Sequence, residues 1–188
     1  DTKHMTDLVL AKGADLGIAL DGDADRILIS DENGELIDGD QILGAIVEFW
    51  SSEGRLIGDH VIGTVMSNMA LEVFLQGKGL KLSRVQVGDR YVVERMRSEN
   101  CNLGGEQSGH IVMTDYSTTG DGLLAALQIL AIIQTKSERA SQVCHPFEPK
   151  PQLIRNIPLN GGDPLQINEV KKIIDDGEQR LASSGRLL

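Results

Sequence analysis

The sequence has few of the residues on which several classes of binding protein depend. Aromatic residues make up only 3% of the 188 residues, so few side chains are available to stack on bases or sugars. Lysine and arginine together number 18 against 28 aspartates and glutamates, which gives a net charge of −10. Because nucleic acids and anionic membranes attract clustered basic residues, we expect no nucleic-acid partner and no membrane partner.

Cysteines and long apolar runs are also scarce. Cys101 and Cys144 are too few for a disulfide framework, and we expect both to be reduced thiols. No apolar run approaches the roughly 18 residues of a membrane-spanning helix, and no signal-peptide pattern opens the chain. These features favour a cytoplasmic location. The first residue is not methionine and the last residues resemble the start of a strand, so we expect a piece of a longer polypeptide.

The remaining composition is that of a globular α/β protein, with 40% apolar and 24% charged residues. Residues 16–37 are predicted to form a strand, an acidic loop, a second strand, an Asn-Gly turn and a third strand. Beyond them the predicted helices are 40–50, 68–76, 91–97, 121–134 and 165–182. Asp40 is the predicted N-cap of the first of these helices. The predicted strands are 61–64, 82–87, 111–113 and 153–157. This alternation predicts a layered mixed sheet with flanking helices.

Two boundaries divide the predicted elements. The segment 145–151 holds three of the five prolines and is typical of a linker, which places one boundary near residue 150. A second boundary is predicted near residue 37, where the acidic-loop segment ends. Within the helix 121–134, the apolar stripe of Leu123, Leu127, Leu130 and Ala131 is expected to pack in the core.

The acidic loop after the first strand contains Asp21, Asp23 and Asp25 in alternate positions. On a straight strand these side chains would lie about 7 Å apart, but Gly22 and Ala24 are small enough for the backbone to curl and bring them together. Clustered carboxylates repel one another unless a cation lies among them, and hard oxygen ligands select Mg²⁺ or Ca²⁺. Arg26 follows directly and suits a phosphate oxygen.

Three other interpretations of this loop remain open. The first is a solvated acidic turn between two strands. The second is an EF-hand type of Ca²⁺ loop with Glu32 at its last ligand position, although Arg26 stands where that loop needs glycine and the flanks are predicted strands. The third is an Asp-x-Asp phosphatase loop, which would normally carry threonine or valine at the position of Arg26.

A second polar loop, GGEQSGH, follows Leu103. Its glycines allow a sharp turn. Glu106 and Ser108 can hydrogen-bond vicinal sugar hydroxyls, and His110 can shuttle a proton or contact a phosphate. The alternative is an ordinary loop that happens to contain a histidine.

Together these two loops resemble the α-D-phosphohexomutase family, in which DGDADR corresponds to the metal loop and GEQSGH to the sugar-recognition loop. The segments 64–72, 87–96 and 117–130 are similar to the family as well, so the resemblance covers nearly the whole chain. It implies that residues 1–37 end the second domain of the family, 38–149 form the third, and 150–188 begin the fourth.

The resemblance also implies an activity: an isomerase that moves a phosphate between O6 and O1 of glucosamine, in cell-wall amino-sugar precursor synthesis. A phosphoserine coordinated to Mg²⁺ would donate the phosphoryl group and a bisphosphate intermediate would form. The implied roles are Mg²⁺ ligands for Asp21, Asp23 and Asp25, a contact to the transferring phosphate for Arg26, and binding of the phosphohexosamine substrate for Glu106, Ser108, His110 and Arg90.

Two motifs of the family are absent from this chain, the serine loop and an Arg-x-Ser-Gly-Thr phosphate loop. The remaining domains of the same polypeptide are therefore expected partners, and the fragment alone is expected to be inactive. Two alternative functions stay open. One is a glucose or mannose phosphate mutase of the same family, and the other is a non-enzymatic module that binds a divalent cation.

Overall fold

The structure is a computed structural model that describes residues 2–158, 161–182 and 184–188. Its helices are Thr2–Lys12 (α1), Gly39–Ser52 (α2), Met69–Gly77 (α3), Asp89–Glu99 (α4), Gly122–Lys136 (α5), Ala140–Val143 (α6) and Asn168–Leu181 (α7). Its strands are Leu16–Leu20 (β1), Ile27–Asp31 (β2), Leu36–Ile37 (β3), His60–Thr64 (β4), Lys81–Val85 (β5), Leu103–Gly105 (β6) and Ile111–Met113 (β7). The predicted α/β class with flanking helices is confirmed. Within the described ranges, no helix is both long enough and apolar enough to cross a membrane.

The strands form two sheets. The first sheet is antiparallel in the order β1-β2-β3, and its β2–β3 turn places Gly34 in the left-handed region at φ 82. The second sheet has the order β5-β4-β6-β7, with β4 parallel to both β5 and β6, and with β7 antiparallel to β6. The carboxyl ends of β4, β5 and β6 therefore share one edge, which is where α/β sheets place their ligands.

Both sheets contribute to one hydrophobic core. Ile27, Ile29 and Ile37 of the first sheet belong to the same buried cluster as Trp50 of α2 and Leu103 of β6. The contacts divide the chain into one compact unit that extends to Lys150 and a second unit over 151–188. The division falls at the predicted linker, whereas residues up to 37 share a core with those that follow. The assignment of three family domains stays a prediction.

Several local predictions differ from the structure. Asp38, with an extended backbone, is the N-cap of α2, and Asp40 lies buried in the first turn instead. Gly104 and Gly105 belong to β6 rather than to a loop. Residues 153–157 form no strand, and α1 was not predicted.

The prediction for the core face of α5 was wrong. Leu123 and Leu127 are 57% and 50% exposed, and Leu130 and Ala131 are exposed as well. The buried face of the helix carries Ala125, Ala126, Ile129 and Ile132. Because α5 is apolar nearly all round, the spacing of its apolar residues does not show which face is buried. In the structure, the face with the small alanines packs against α2 and β2.

Candidate metal and sugar site

The acidic loop between β1 and β2 curls as its small residues predict. The Ala24 amide donates to Asp21 O at 3.2 Å, and Ala24 adopts a left-handed φ of 61. As a result, carboxylate oxygens of Asp21, Asp23 and Asp25 all lie within 4.8 Å of one another. Three carboxylates at this separation fit a divalent cation that prefers oxygen ligands, such as Mg²⁺.

Arg26 offsets the repulsion among these carboxylates. Its Nε lies 2.9 Å from Asp21 Oδ2 and 3.4 Å from Asp25 Oδ1, and its amide donates to Asp21 Oδ1 at 3.2 Å. Desolvation opposes ionisation of Asp21, but the Arg26 amide, a side-chain hydrogen bond with Asp25 and the Arg26 guanidinium together hold the pKa of Asp21 below its ordinary value. About half of the Arg26 side chain stays exposed. The residue predicted to contact phosphate thus lies directly against the carboxylates of Asp21 and Asp25.

The second polar loop, residues 106–110 between β6 and β7, lies beside the acidic loop. Arg26 and His110 form an antiparallel backbone bridge, and the Ile27 amide donates to Gly109 O at 3.0 Å. The two motifs that the sequence singled out are therefore neighbours in space. One ligand with several hydroxyl groups could therefore contact both a cation at the acidic loop and the side chains of the second loop.

His110 is buried between the two loops and is only 2% exposed. Its Nε2 lies 3.7 Å from Asp25 Oδ2, beyond hydrogen-bond distance. Neither ring nitrogen has a hydrogen-bond partner among the residues that the structure describes. The ring packs on Gly120, where a Cβ would lie 2.3 Å from Nε2. Since an unpartnered buried polar group is costly, a ligand bound beside the three carboxylates would give the imidazole a hydrogen-bond partner.

Glu106 connects this loop to a third one. Its Oε1 accepts a hydrogen bond from the Gly88 amide at 2.8 Å, and Gly88 belongs to the loop after β5. Gly88 has a φ of 134, a conformation that residues with a side chain rarely adopt. The backbone conformation that presents this amide to Glu106 therefore favours glycine at position 88. Ser108 is exposed on the same turn as Glu106. Both predicted sugar-binding side chains therefore lie on one turn.

Arg90 is the predicted site residue that the structure leaves apart. It lies in the first turn of α4 with its side chain 80% exposed, and its Nε donates to Glu94 Oε1 at 2.8 Å. This hydrogen bond raises the pKa of Arg90 above its ordinary value. The guanidinium is thus engaged on the surface of its own helix, and within the described residues it forms no hydrogen bond or ion pair with the loop that carries Glu106.

Several residues of the site were missed because only tertiary contacts give them a role. The Gly122 amide donates to Ala24 O at 2.9 Å, and a Cβ at Gly122 would lie 2.7 Å from Arg26 O. Gly39 packs equally closely on the Glu106 carbonyl, where a Cβ would also clash. The Asp38 carboxylate accepts a hydrogen bond from the Gln107 side chain. The glycines of the 117–130 segment were the available sequence signal, but the sequence does not show what they pack against.

Another group of possible ligand residues, Asp31, Glu35 and His145, has a structural explanation. Asp31 Oδ1 accepts the amides of Asn33 and Glu35, both at 2.9 Å, and thereby shapes the β2–β3 turn. Asp31 Oδ2 lies 3.3 Å from His145 Nε2. The buried Asp31 carboxylate is therefore paired on both oxygens by the protein itself.

Known proteins resemble this chain in sequence over most of its length. Residues 38–149 match the family described as phosphoglucomutase/phosphomannomutase, alpha/beta/alpha domain III. The phosphoglucosamine mutases of Rhizobium johnstonii and Bradyrhizobium diazoefficiens are 58% and 55% identical to this chain over 175 residues, which are 93% of it. The chain spans 39% of the length of either relative.

Solved structures share the fold. A phosphoglucomutase/phosphomannomutase family protein from Burkholderia thailandensis matches with a TM-score of 0.66 and 25% identity, over 76% of this chain and 32% of that one. The Aspergillus fumigatus N-acetylphosphoglucosamine mutase, solved with GlcNAc-6P and magnesium, matches with a TM-score of 0.60 and 20% identity, over 71% of this chain and 36% of that one. Since the family model covers more than half of its residues, the chain belongs to the phosphoglucomutase/phosphomannomutase family, the α-D-phosphohexomutases.

Proposed function

We propose that this chain carries the metal and sugar-binding parts of a phosphoglucosamine mutase, which interconverts glucosamine 6-phosphate and glucosamine 1-phosphate. The observation that carries the proposal is the bridge between Arg26 and His110, because it joins the cluster of three carboxylates to the loop with Glu106 and Ser108. The choice of glucosamine rests on relatives of that name at 55–58% identity. A cytoplasmic step that supplies amino-sugar precursors belongs to the same proposal.

The proposal assigns the chain to parts of three domains. Residues 1–37 would end the second domain and carry the metal loop, 38–149 would form the third with the sugar loop, and 150–188 would begin the fourth. The match of the domain III model to residues 38–149 supports the middle assignment. The remaining domains of a longer polypeptide would supply the phosphoserine and a second phosphate-binding loop.

Asp21, Asp23 and Asp25 would hold Mg²⁺, which when bound supplies electrostatic stabilisation of the transferring phosphoryl group. Arg26, half exposed beside these ligands, would turn its guanidinium toward a phosphate oxygen. The Gly88 amide holds Glu106 through Oε1, and we assign Oε2 and the Ser108 hydroxyl to the sugar hydroxyls. His110 would donate a hydrogen bond to the ligand from its unpartnered ring.

The metal assignment predicts weak Mg²⁺ binding by this chain, because its ligand set lacks the phosphoserine. Replacing the exposed Asp23 with asparagine removes one charged ligand without disturbing the Arg26 contacts, and binding should fall at least about tenfold. Isothermal titration with MgCl₂ measures this. The control is Asp15→Asn, an exposed aspartate outside the loop, which should bind as the wild type does. Equal binding by Asp23→Asn and wild type would contradict the site.

The sugar assignment predicts that Glu106→Gln impairs turnover in the full-length protein. Glutamine retains an oxygen for the Gly88 amide but loses the charge that strengthens bonds to sugar hydroxyls. Charge-assisted hydrogen bonds contribute about 1.5–3 kcal/mol, so kcat/KM for glucosamine 6-phosphate should fall roughly ten- to a hundredfold. A coupled assay of glucosamine 1-phosphate formation measures this.

Three controls accompany the assay. Mg²⁺ affinity should not change in Glu106→Gln, since this carboxylate is not among the metal ligands. Glucose 6-phosphate and mannose 6-phosphate should be poorer substrates than glucosamine 6-phosphate for the wild type, and this chain alone should show no turnover. If Glu106→Gln lost Mg²⁺ binding but kept its sugar kinetics, the roles of the two loops would have to be reassigned.

A further inference from the structure

The N-terminal turn of α2 contacts the loop at 106–110, called here the sugar loop, in three ways. The Gly39 amide donates to Gln107 O at 2.9 Å. Gln107 Nε2 donates to Asp38 Oδ2 at 3.2 Å. Gly39 also lies so close that a Cβ on it would be 2.0 Å from Glu106 O. The sugar loop therefore rests directly on the beginning of a buried helix.

Asp38 divides its carboxylate between two tasks. Oδ1 accepts the Gln41 amide at 3.0 Å and caps α2, which is the ordinary role of an aspartate before a helix. Oδ2 is not needed for the cap and instead accepts the Gln107 side chain. Serine or threonine would cap the helix equally well. The second contact therefore calls for an explanation apart from helix stability.

We propose that Asp38 and Gln107 form a positioning pair that orients Glu106 and Ser108 toward the sugar. The inference rests on the proposed function and adds two residues to it. Gln107 stands between the two sugar-binding residues, so holding its side chain against α2 limits rotation of the turn that carries both. Binding groups must be held within a fraction of an ångström of their productive geometry, and small misplacements reduce rates strongly.

The decisive variant is Asp38→Ser in the full-length enzyme. Serine keeps the helix cap but is too short to reach Gln107. We expect kcat/KM for glucosamine 6-phosphate to fall about tenfold, mainly through a higher KM, with unchanged Mg²⁺ affinity and an unchanged helical circular dichroism signal. Asp38→Asn should restore the kinetics, because its oxygen can cap α2 while its amide pairs with a rotated Gln107 amide. Wild-type kinetics in Asp38→Ser would overturn the pair.

A double-mutant cycle tests whether the two residues act together. Gln107→Met keeps the size of the side chain and the backbone bond to Gly39 but removes the amide. It should lower kcat/KM as much as Asp38→Ser does, and the double variant should be no worse than either single variant. Losses that multiply in the double variant would show that Asp38 and Gln107 act independently, and would overturn the proposal.

The chain offers a matched control in its second unit. Asp163 caps a short 3-10 helix, Pro164–Gln166, through Oδ1 and accepts Gln166 Nε2 on Oδ2 at 3.1 Å. Asp163→Ser therefore removes the same kind of contact at a helix that does not belong to the compact unit with the sugar loop. It should leave kcat/KM and KM at their wild-type values.

Amide hydrogen exchange in this chain, without substrate, separates the pair from the proposed function. Exchange at residues 106–110 should be faster in Asp38→Ser than in the wild type or in Asp163→Ser. If exchange behaves so but the full-length protein does not convert hexosamine phosphates, the proposed function fails and the structural pair stands. If exchange at these residues is unchanged in Asp38→Ser, the pair itself is wrong.

Discussion

Replacing Gly109 with alanine is expected to destabilise this chain by about 3–5 kcal/mol. A Cβ at this position would lie 1.9 Å from Ile27 O and 3.0 Å from Ile27 C. Both atoms belong to the backbone, so no side-chain rotation relieves the clash. Gly109 also has a φ of 95, which adds backbone strain for any L side chain. Urea denaturation followed by circular dichroism measures the loss.

The change at Gly109 acts where the sugar loop contacts β2, directly after the acidic loop. The Ile27 amide donates to Gly109 O at 3.0 Å. This hydrogen bond breaks if β2 and the sugar loop move apart to admit the methyl group of alanine. Gly22→Ala is the matched control, since Gly22 lies in the acidic loop but a Cβ there meets nothing within 4 Å. Its free energy of unfolding should stay within about 0.5 kcal/mol of the wild type. Equal stability of the two variants would mean that the loops are not joined this closely.

Replacing Asp40 with asparagine is expected to stabilise the chain more at pH 8 than at pH 5. Asp40 is buried in the first turn of α2, and desolvation raises its pKa to about 7 despite the hydrogen bond that the Asn68 amide donates to Oδ2 at 2.6 Å. The nearby Asp38 carboxylate raises this pKa further, whereas Ser67 and Arg84 lower it.

The direction of the pH effect follows from the two pKa values of Asp40. Its ordinary pKa is 3.8 and its pKa in the folded chain is about 7, so between these values the folded state keeps a proton that the unfolded state has released. The contribution of Asp40 to stability is therefore complete below pH 4 and is lost as the pH rises through 7. Between pH 5 and pH 8 this loss lowers the free energy of unfolding by roughly 2–4 kcal/mol.

Asparagine remains neutral throughout, and its oxygen can still accept the Asn68 amide. The quantity to compare is the difference in the free energy of unfolding between Asp40→Asn and the wild type. In urea denaturation this difference should favour the variant by about 2–4 kcal/mol more at pH 8 than at pH 5. Asp15→Asn, at an exposed position, should not change the pH dependence. A difference between Asp40→Asn and the wild type that is the same at both pH values would contradict the raised pKa.

The triplet Asp-Gly-Asp occurs twice in this chain and shows how far local sequence determines structure. At residues 21–23 it precedes Ala24 and a strand, and it forms a curled loop with clustered carboxylates. At 38–40 it precedes an apolar segment of helical period, and there the first aspartate caps a helix while the second is buried. The residues that follow the triplet decide between the two outcomes, and they are visible in the sequence.

Short-range patterns were sufficient for the α/β class, the hairpin at Gly34, most strands and helices, and the clustering of the three aspartates. Each depends on residues within a few positions of one another, and so on backbone geometry that the sequence specifies directly. The contact of Glu106 with Gly88, the exposed face of α5 and the link from Asp38 to Gln107 depended on the tertiary structure. Each joins segments far apart in the chain, and only the packing of both sheets on one core determines which polar groups meet and which apolar face is buried.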